Sequence, residues 1–319
     1  MNPIGGYYEL ELAPGPHRYH DTPYAFKSGR SSLHYILQLM KPSLVYVPFY
    51  TCDGLLDSFE AAGTTYQFYE INHLLEPDDL PELEANEYFL YINYFDVKRT
   101  YVRHLSAKYG DRLIVDCTQA FFMKGNGKSW FFNSCRKYFG VPDGSYLYAP
   151  THMDLQPVME KNEQYTVSHL IDRFNNHVRE GYTSFLENEV LCGADLYGMS
   201  KLSEYLLSHI NYAQVMEKRY SNYRYLDALF TEYHLFPPDE GDDCVPMVYP
   251  LLTNKPPDRK LFADLGLFIP TYWADVNNRR KTGFEIEKLL TALLLPLPID
   301  HRYSLADMER MVKLIKRLQ

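Results

Sequence analysis

The chain is short of positive charge: 32 lysines and arginines face 41 aspartates and glutamates, for a formal net charge of -9. Nucleic-acid backbones are held by clustered Lys and Arg. No such cluster is found, so a small molecule or another protein is the expected partner. Cysteine is sparse and unpatterned. Cys52, Cys117, Cys135, Cys192 and Cys244 are an odd number with no Cys-x-x-Cys pair, which argues against a zinc knuckle or a redox dithiol. A reduced, cytoplasmic protein is expected. No apolar run approaches the roughly 20 residues of a membrane span, and MNPIGGYYELEL lacks a basic stretch followed by an apolar one. The expectation is neither anchor nor export signal.

With 46% of 319 residues hydrophobic, the chain can build a large domain and a smaller one without covalent staples. The 29 tyrosines are scattered rather than repeated. Packing, with each hydroxyl reaching water or a partner, accounts for most of them.

From Phe26 onward two kinds of segment alternate. SSLHYILQLM (31–40) has helical apolar spacing, LVYV (44–47) is a short β-rich run, and Leu55, Leu56, Phe59 and Ala62 share a helical face that Gly63 is placed to end. TTYQFYEI (64–71), YFLYINYF (88–95) and LIV (113–115) look like strands, with the helix-like TYVRHLSAKYG before the last. This interleaving predicts an α/β fold with a mostly parallel sheet covered on both faces. WFFN (130–133) and SYLYA (145–149) follow so closely that a late strand is expected to run antiparallel. From about 158 to 233 the pattern is helical and ends in one long helix; PPDEG (237–241) is a break. Beyond it, strand-like VYPLLT and LFIPTYW precede the amphipathic SLADMERMVKLIKRL, where Ser304 and Asp307 form a weak capping box. The expected division is 1–235, including the connecting helix, and 236–319, a small α+β domain.

Ligands in such sheets sit beyond the carboxyl ends of the strands, which singles out three places. Asp116 ends a buried apolar strand, where a carboxylate is costly unless it caps, pairs or binds; Gln119 follows on the same turn. SGRSSL (28–33) opens a helix, either as a plain cap or as a phosphate cradle made of free N–H groups, the helix dipole and Gly29. Lys137, in SCRKYFGVPDG, is either a solvated turn residue or an amine held in apolar surroundings that free it as a nucleophile. Taken in order, a phosphate cradle, an acid at a strand end and a lysine about twenty residues later are the parts that hold pyridoxal phosphate (PLP).

At these motifs the chain resembles the DegT/DnrJ/EryC1/StrS sugar aminotransferases, PLP-dependent enzymes of fold type I (aspartate-aminotransferase-like). The likeness covers most of the chain and is strongest from Phe26 to Gly144. SGRSSL stands at the family's phosphate loop, implying contacts from Gly29, Arg30 and Ser31. LVYVPFYTCDGLLDSFEAAGTTYQFYEIN is similar to its strand, Pro-x-aromatic-Thr turn, helix and return strand. IVDCTQA resembles its Glu-Asp-x-x-Gln-Ala, which gives Asp116 the pyridine nitrogen and Gln119 the ring oxygen. SCRKYFGVPDG stands at its lysine segment, making Lys137 the cofactor-linking lysine and Ser134 a phosphate ligand. Related dehydratases carry histidine at that position, so the lysine implies amino transfer.

The sequence also departs from the family. Gly-Glu-Gly-Gly is replaced by Pro142-Asp143-Gly144-Ser145. Cys52 stands where an aromatic often covers the ring, leaving Tyr50 or Phe95 to substitute. Leu196-Tyr197-Gly198-Met199 replaces a segment that reaches the neighbouring subunit's cofactor. Near the C-terminus, His301 and Arg302 are read either as anion ligands or as a salt-bridged turn with Asp300, and Tyr272 and Trp273 as specificity residues. The resemblance implies a homodimer that moves an amino group from glutamate or glutamine to a keto sugar, free or nucleotide-linked. The rivals are a PLP-dependent lyase and a non-catalytic relative that keeps the fold.

Overall fold

In the first half of the chain three strands are each followed by an amphipathic helix, and these three β-α units and four further strands enter a single sheet. The computed structural model describes residues 4, 6–156, 160–230, 236, 244–279 and 282–318. The elements are β1 (Ala25–Phe26), α1 (Gly29–Met40), β2 (Leu44–Pro48), α2 (Asp53–Ala62), β3 (Tyr66–Tyr69), β4 (Glu87–Ile92), α3 (Arg99–Tyr109), β5 (Leu113–Cys117), β6 (Trp130–Asn133) and β7 (Ser145–Tyr148). They form a seven-stranded sheet in the order β1-β7-β6-β5-β4-β2-β3. Strands β2 to β6 are mutually parallel, and β7 runs antiparallel to both β6 and β1. This is the mostly parallel α/β sheet that the interleaving predicts. β5 and β6 are buried along their whole length and β4 along all but its first residue, as strands covered on both faces are.

Two expectations are corrected in the second half. The long helix is two helices, α6 (Lys201–Ser208) and α7 (Tyr212–Phe230), following α4 (Ser168–Phe174) and α5 (Gly181–Leu191). The break comes at 209–211, where the Asn211 side chain accepts the Gln214 N–H at 3.2 Å and so starts a new helix. LFIPTYW forms no strand. Its aromatics are taken by tertiary packing, with Trp273 edge-on to Tyr50 at 4.7 Å and Tyr272 stacked near Phe95. The strand that pairs with β8 (Val248–Leu252) is instead β9 (Leu294–Pro298), reached through α8 (Arg259–Asp264) and α9 (Glu285–Leu293). A two-stranded sheet leaves one side of β9 unpaired, so Pro296 and Pro298 are tolerated there. In α10 (Leu305–Leu318) the capping box forms: Asp307 accepts the Ser304 N–H at 2.8 Å.

Helix α7 joins the two halves of the core. Tyr212 and Val215 pack with Phe121 and Phe139, whereas Tyr223, Leu226 and Phe230 pack with Tyr249, Leu297 and Met308 of the β8–β9–α10 unit. Of the expected domain boundary, Leu235 lies outside the described residues, as does the PPDEG break.

Candidate active site

Parallel register brings the carboxyl ends of the central strands to one edge, with Ile92 opposite Asp116 and Cys117 opposite Asn133. The turns beyond that edge carry Cys52, Gln119, Ser134 and Lys137. Asp116 is buried and accepts the Thr118 N–H there at 2.7 Å. Burial pushes its carboxyl up to about 6, opposed by the Thr118 bonds and the Lys137 charge. Gln119 accepts the Phe95 N–H at 3.1 Å through its side chain, and its carbonyl accepts the Tyr138 hydroxyl at 2.6 Å. Both residues are therefore rigid.

Lys137 lies in a single 3-10 turn, Cys135–Lys137, that follows Ser134. The turn is fixed from below: the Cys135 N–H donates to the Gly144 carbonyl at 2.9 Å. The apolar flanks do not enclose the amine as expected, because Tyr138 and Phe139 pack away from it with Phe121 and Tyr212. The Lys137 side chain is 46% exposed. It lines a cavity of about 440 Å³ shared with Arg173, Arg219, Met247, Tyr272 and Arg302. Cys52 belongs to the same neighbourhood; burial raises its thiol, and Lys137 and Asp116 are among the charges acting on it.

Helix α1 starts against this edge. A Cβ on Gly29 would meet the Asn133 carbonyl and the Thr118 methyl, each at 3.2 Å, tighter than an ordinary contact, so a larger residue would have to push these neighbours aside by a few tenths of an ångström. Ser28 is the cap, accepting the Ser31 N–H at 3.0 Å. The hydroxyls of Ser28 and Ser31 donate to the carbonyls of Gly193 and Asp195 at 2.9 and 2.7 Å. Arg30 pairs with Glu189 of α5 at 3.0 Å, Arg136 binds the other Glu189 oxygen, and Lys137 stands 4.0 Å from it. Burial would raise the Glu189 carboxyl, but Lys137, Arg136 and Arg30 outweigh it and hold it below the ordinary carboxylate range.

The structure thus gathers Gly29, Arg30, Ser31, Asp116, Gln119, Ser134 and Lys137 around one sheet edge. It does not bring in Tyr50 or Phe95, whose rings are fully enclosed; the Tyr50 hydroxyl donates to the Tyr272 carbonyl at 2.9 Å. Trp273 packs behind Tyr50. Arg302 grips both oxygens of Asp300 at 2.7 and 2.9 Å, the salt-bridged turn. His301 is half-buried beside Phe139, its imidazole pushed down by burial and by Arg219. The segment 196–199 extends the sheet within the chain: Lys27 and Met199 N–H groups bond to the Tyr197 and Ala25 carbonyls at 2.9 and 3.1 Å.

Sequence reasoning missed Glu189, Arg136 and Arg219. Glu189 is one of two acids in GYTSFLENEVL, with nothing local to set it apart from Glu187; Arg219 sits in a charge-rich helix that looks solvated. No group of three or more metal-ligating side chains occurs among the described residues, and no helix of theirs is long and apolar enough to cross a membrane.

No protein-family model matches the chain, and no curated protein matches it. Solved structures do. A DegT DnrJ EryC1 StrS aminotransferase from Brucella abortus aligns over 92% of this chain and 84% of its own, with TM-score 0.57 and 12% identity. Helicobacter pylori PseC, an aminotransferase of pseudoaminic acid biosynthesis, aligns over 92% and 85% with TM-score 0.63 and 11% identity. NtdA from Bacillus subtilis, with bound cofactor PMP, aligns over 92% and 72% with TM-score 0.59 and 13% identity. The chain has the fold of these PLP-type aminotransferases.

Proposed function

We propose that the chain is a divergent member of the DegT/DnrJ/EryC1/StrS family, a PLP-dependent aminotransferase that passes an amino group from glutamate or glutamine to a keto sugar. The observation that carries this reading is the convergence of Lys137 and buried Asp116 beyond parallel strands, in a fold shared with enzymes of that activity. The residues present fit the cofactor. Asp116, buried and accepting the Thr118 N–H, would hold a proton on a ring nitrogen. At the other end Arg30, Arg136 and Lys137 face Glu189 and, at 3.9 Å from Arg30, Asp57, three cations against two acids beside the start of α1, a balance suited to a phosphate. Bound PLP supplies the carbonyl that takes the amino group and the ring that accepts electrons. Lys137, exposed to the cavity, gives and takes the proton at the substrate carbon. A homodimer belongs to the same proposal.

One observation favours the rival, a relative that keeps the fold without the chemistry: the Ser28 and Ser31 hydroxyls and Arg30 are engaged by residues 189–195. Incubating the purified protein with PLP separates the two. Catalysis predicts a visible absorbance band that borohydride erases, that Lys137→Ala lacks, and that glutamate shifts as the amino group is transferred. A protein that stays colourless refutes the proposal; a band that no amino donor shifts points to a lyase.

A further inference from the structure

We propose that residues 189–195 are a strap that fills the anion cradle at the start of α1 from within the chain, and that a phosphate-bearing ligand binds by displacing it. The inference rests on the phosphate site of the reading above and concerns what guards that site.

Six donor side chains at and beside the start of α1 are each taken by an acceptor from this segment. Lys27, 1% exposed, donates to the Asp195 carboxylate at 2.7 Å and to the Leu191 carbonyl at 3.3 Å. Ser28 and Ser31 donate to the Gly193 and Asp195 carbonyls, and His34 Nδ1 to the Ala194 carbonyl at 2.8 Å. Arg30 and Arg136 each take one oxygen of the Glu189 carboxylate. The segment thus presents two carboxylates and a row of carbonyl oxygens to cations and hydroxyls. A phosphate monoester, with about two negative charges and three acceptor oxygens, offers those donors the same chemistry.

The contacts that hold the segment are the ones an anion can replace. Of residues 189–195 only Cys192 is buried; Val190 is 80% exposed and Leu191 38%. The two ends, by contrast, are fixed: Asn188 donates to the Pro142 carbonyl at 2.7 Å, and Met199 and Ser200 are buried. A segment tied down by hydrogen bonds rather than by apolar packing opens at low cost. Exchanging one acceptor for another changes the free energy little. The closed strap scales the apparent affinity for the anion by the fraction of molecules that are open, so variants that loosen it bind phosphate more tightly.

Cys192 reports the position of the strap, since it is 0% exposed and lies between two residues whose carbonyls are engaged. The test is labelling of the whole chain with N-ethylmaleimide, read cysteine by cysteine by mass spectrometry. Inorganic phosphate and pyridoxamine 5'-phosphate (PMP) are the ligands, and pyridoxamine is the control without phosphate. Both phosphates are expected to speed Cys192 labelling at least tenfold. Pyridoxamine should not, and Cys117 and Cys135, buried outside the strap, should stay slow throughout. Glu189→Gln and Asp195→Asn should label faster at Cys192 without ligand and bind phosphate at least threefold more tightly by calorimetry. Asp57→Asn removes an acid 3.9 Å from Arg30 without touching the strap, and should leave Cys192 unchanged. If neither strap variant folds, labelling of the wild type decides alone. Cys192 that stays slow with phosphate bound, that is fast without ligand, or that responds as strongly to Asp57→Asn overturns the strap. So does a protein that binds neither phosphate nor PMP in any folded form. Release by phosphate in a protein whose PLP band no amino donor shifts leaves the strap standing and removes amino transfer; a glutamate-shifted band with Cys192 silent does the reverse.

Discussion

Removing the Asp143 carboxylate should destabilise the protein and loosen the turn that presents Lys137. Asp143 is fully buried and accepts four hydrogen bonds, from Ser200 N–H at 2.9 Å, Ser200 Oγ at 2.6 Å, Asn162 Nδ2 at 2.9 Å and Ser203 Oγ. Bonds to a buried carboxylate contribute about 1.5–3 kcal/mol each, and a donor left without a partner costs about 1–3 kcal/mol. The serine hydroxyls can rotate to other acceptors, but the Ser200 N–H and the Asn162 amide cannot. Asp143→Ala should therefore lose about 4 kcal/mol. Asp143→Asn, which keeps one acceptor oxygen and turns an NH₂ toward existing donors, should lose about 2–3 kcal/mol. Against a total stability of about 5–15 kcal/mol, either loss is large. The effect should reach Lys137, because Gly144 adjoins Asp143, receives the Cys135 N–H and sits at φ 124° with Met199 and Cys135 where a Cβ would go. Urea unfolding followed by the fluorescence of Trp130 and Trp273 measures the loss, and hydrogen exchange at 135–145 and 199–204 localises it. If Asp143→Asn costs under about 1 kcal/mol, or Asp143→Ala no more than Ser203→Ala, the donors find other partners and the reasoning fails.

Two further outcomes follow. Glu189→Gln leaves Arg30, Arg136 and Lys137 without their shared anion, so in phosphate-free buffer it should cost about 1–3 kcal/mol, and millimolar phosphate should restore it while barely changing the wild type; thermal melts check both halves, and a variant indifferent to phosphate sinks the idea. Glu287 is buried and accepts the Ile71 N–H at 2.7 Å, and burial pushes its carboxyl up to about 7, aided by Glu70 and Asp78. A raised acid favours the protonated fold, so its contribution is full below its ordinary value near 4.5 and is lost as pH rises through 7. Glu287→Gln keeps the acceptor and should be about 2 kcal/mol more stable than wild type at pH 8 and about equal at pH 4; the same difference at both pH values would refute this.

How far the sequence could be read depended on how local each cause was. Strands β2, β4 and β5 and the Gly63 stop carry their signals in consecutive residues, so the parallel sheet and the turn holding Asp116 and Gln119 were legible. LFIPTYW has the residues of a strand, but partners such as Tyr50 and Phe95, more than 170 positions away, claim its aromatics. Leu294–Pro298 hid as a strand because its prolines argue against one unless its open side is known. The exposure of Lys137 is hidden for a similar reason: apolar neighbours in sequence pack beneath it, and the acid beside it, Glu189, comes from α5, more than 50 positions away.

The departures in residues 142–145 and 196–199 have one structural cause. Residues 188–200 are stitched to every side of the candidate site: Asn188 donates to the Pro142 carbonyl at 2.7 Å, and Gly193 and Asp195 receive the serines of α1. Asp195 also binds buried Lys27 at 2.7 Å, residues 197–199 extend the sheet beyond β1, and Ser200 closes on Asp143. An aspartate at 143 and apolar residues at 196 and 199 suit a segment that packs within its own chain. Access of a phosphate to the start of α1 then depends on this one segment, since the hydroxyls and guanidiniums it engages are those an incoming anion would use. The same stitching explains how Lys137 stays half exposed and still fixed: its turn is held through Gly144, and the acid beside it is delivered by the segment's first residues.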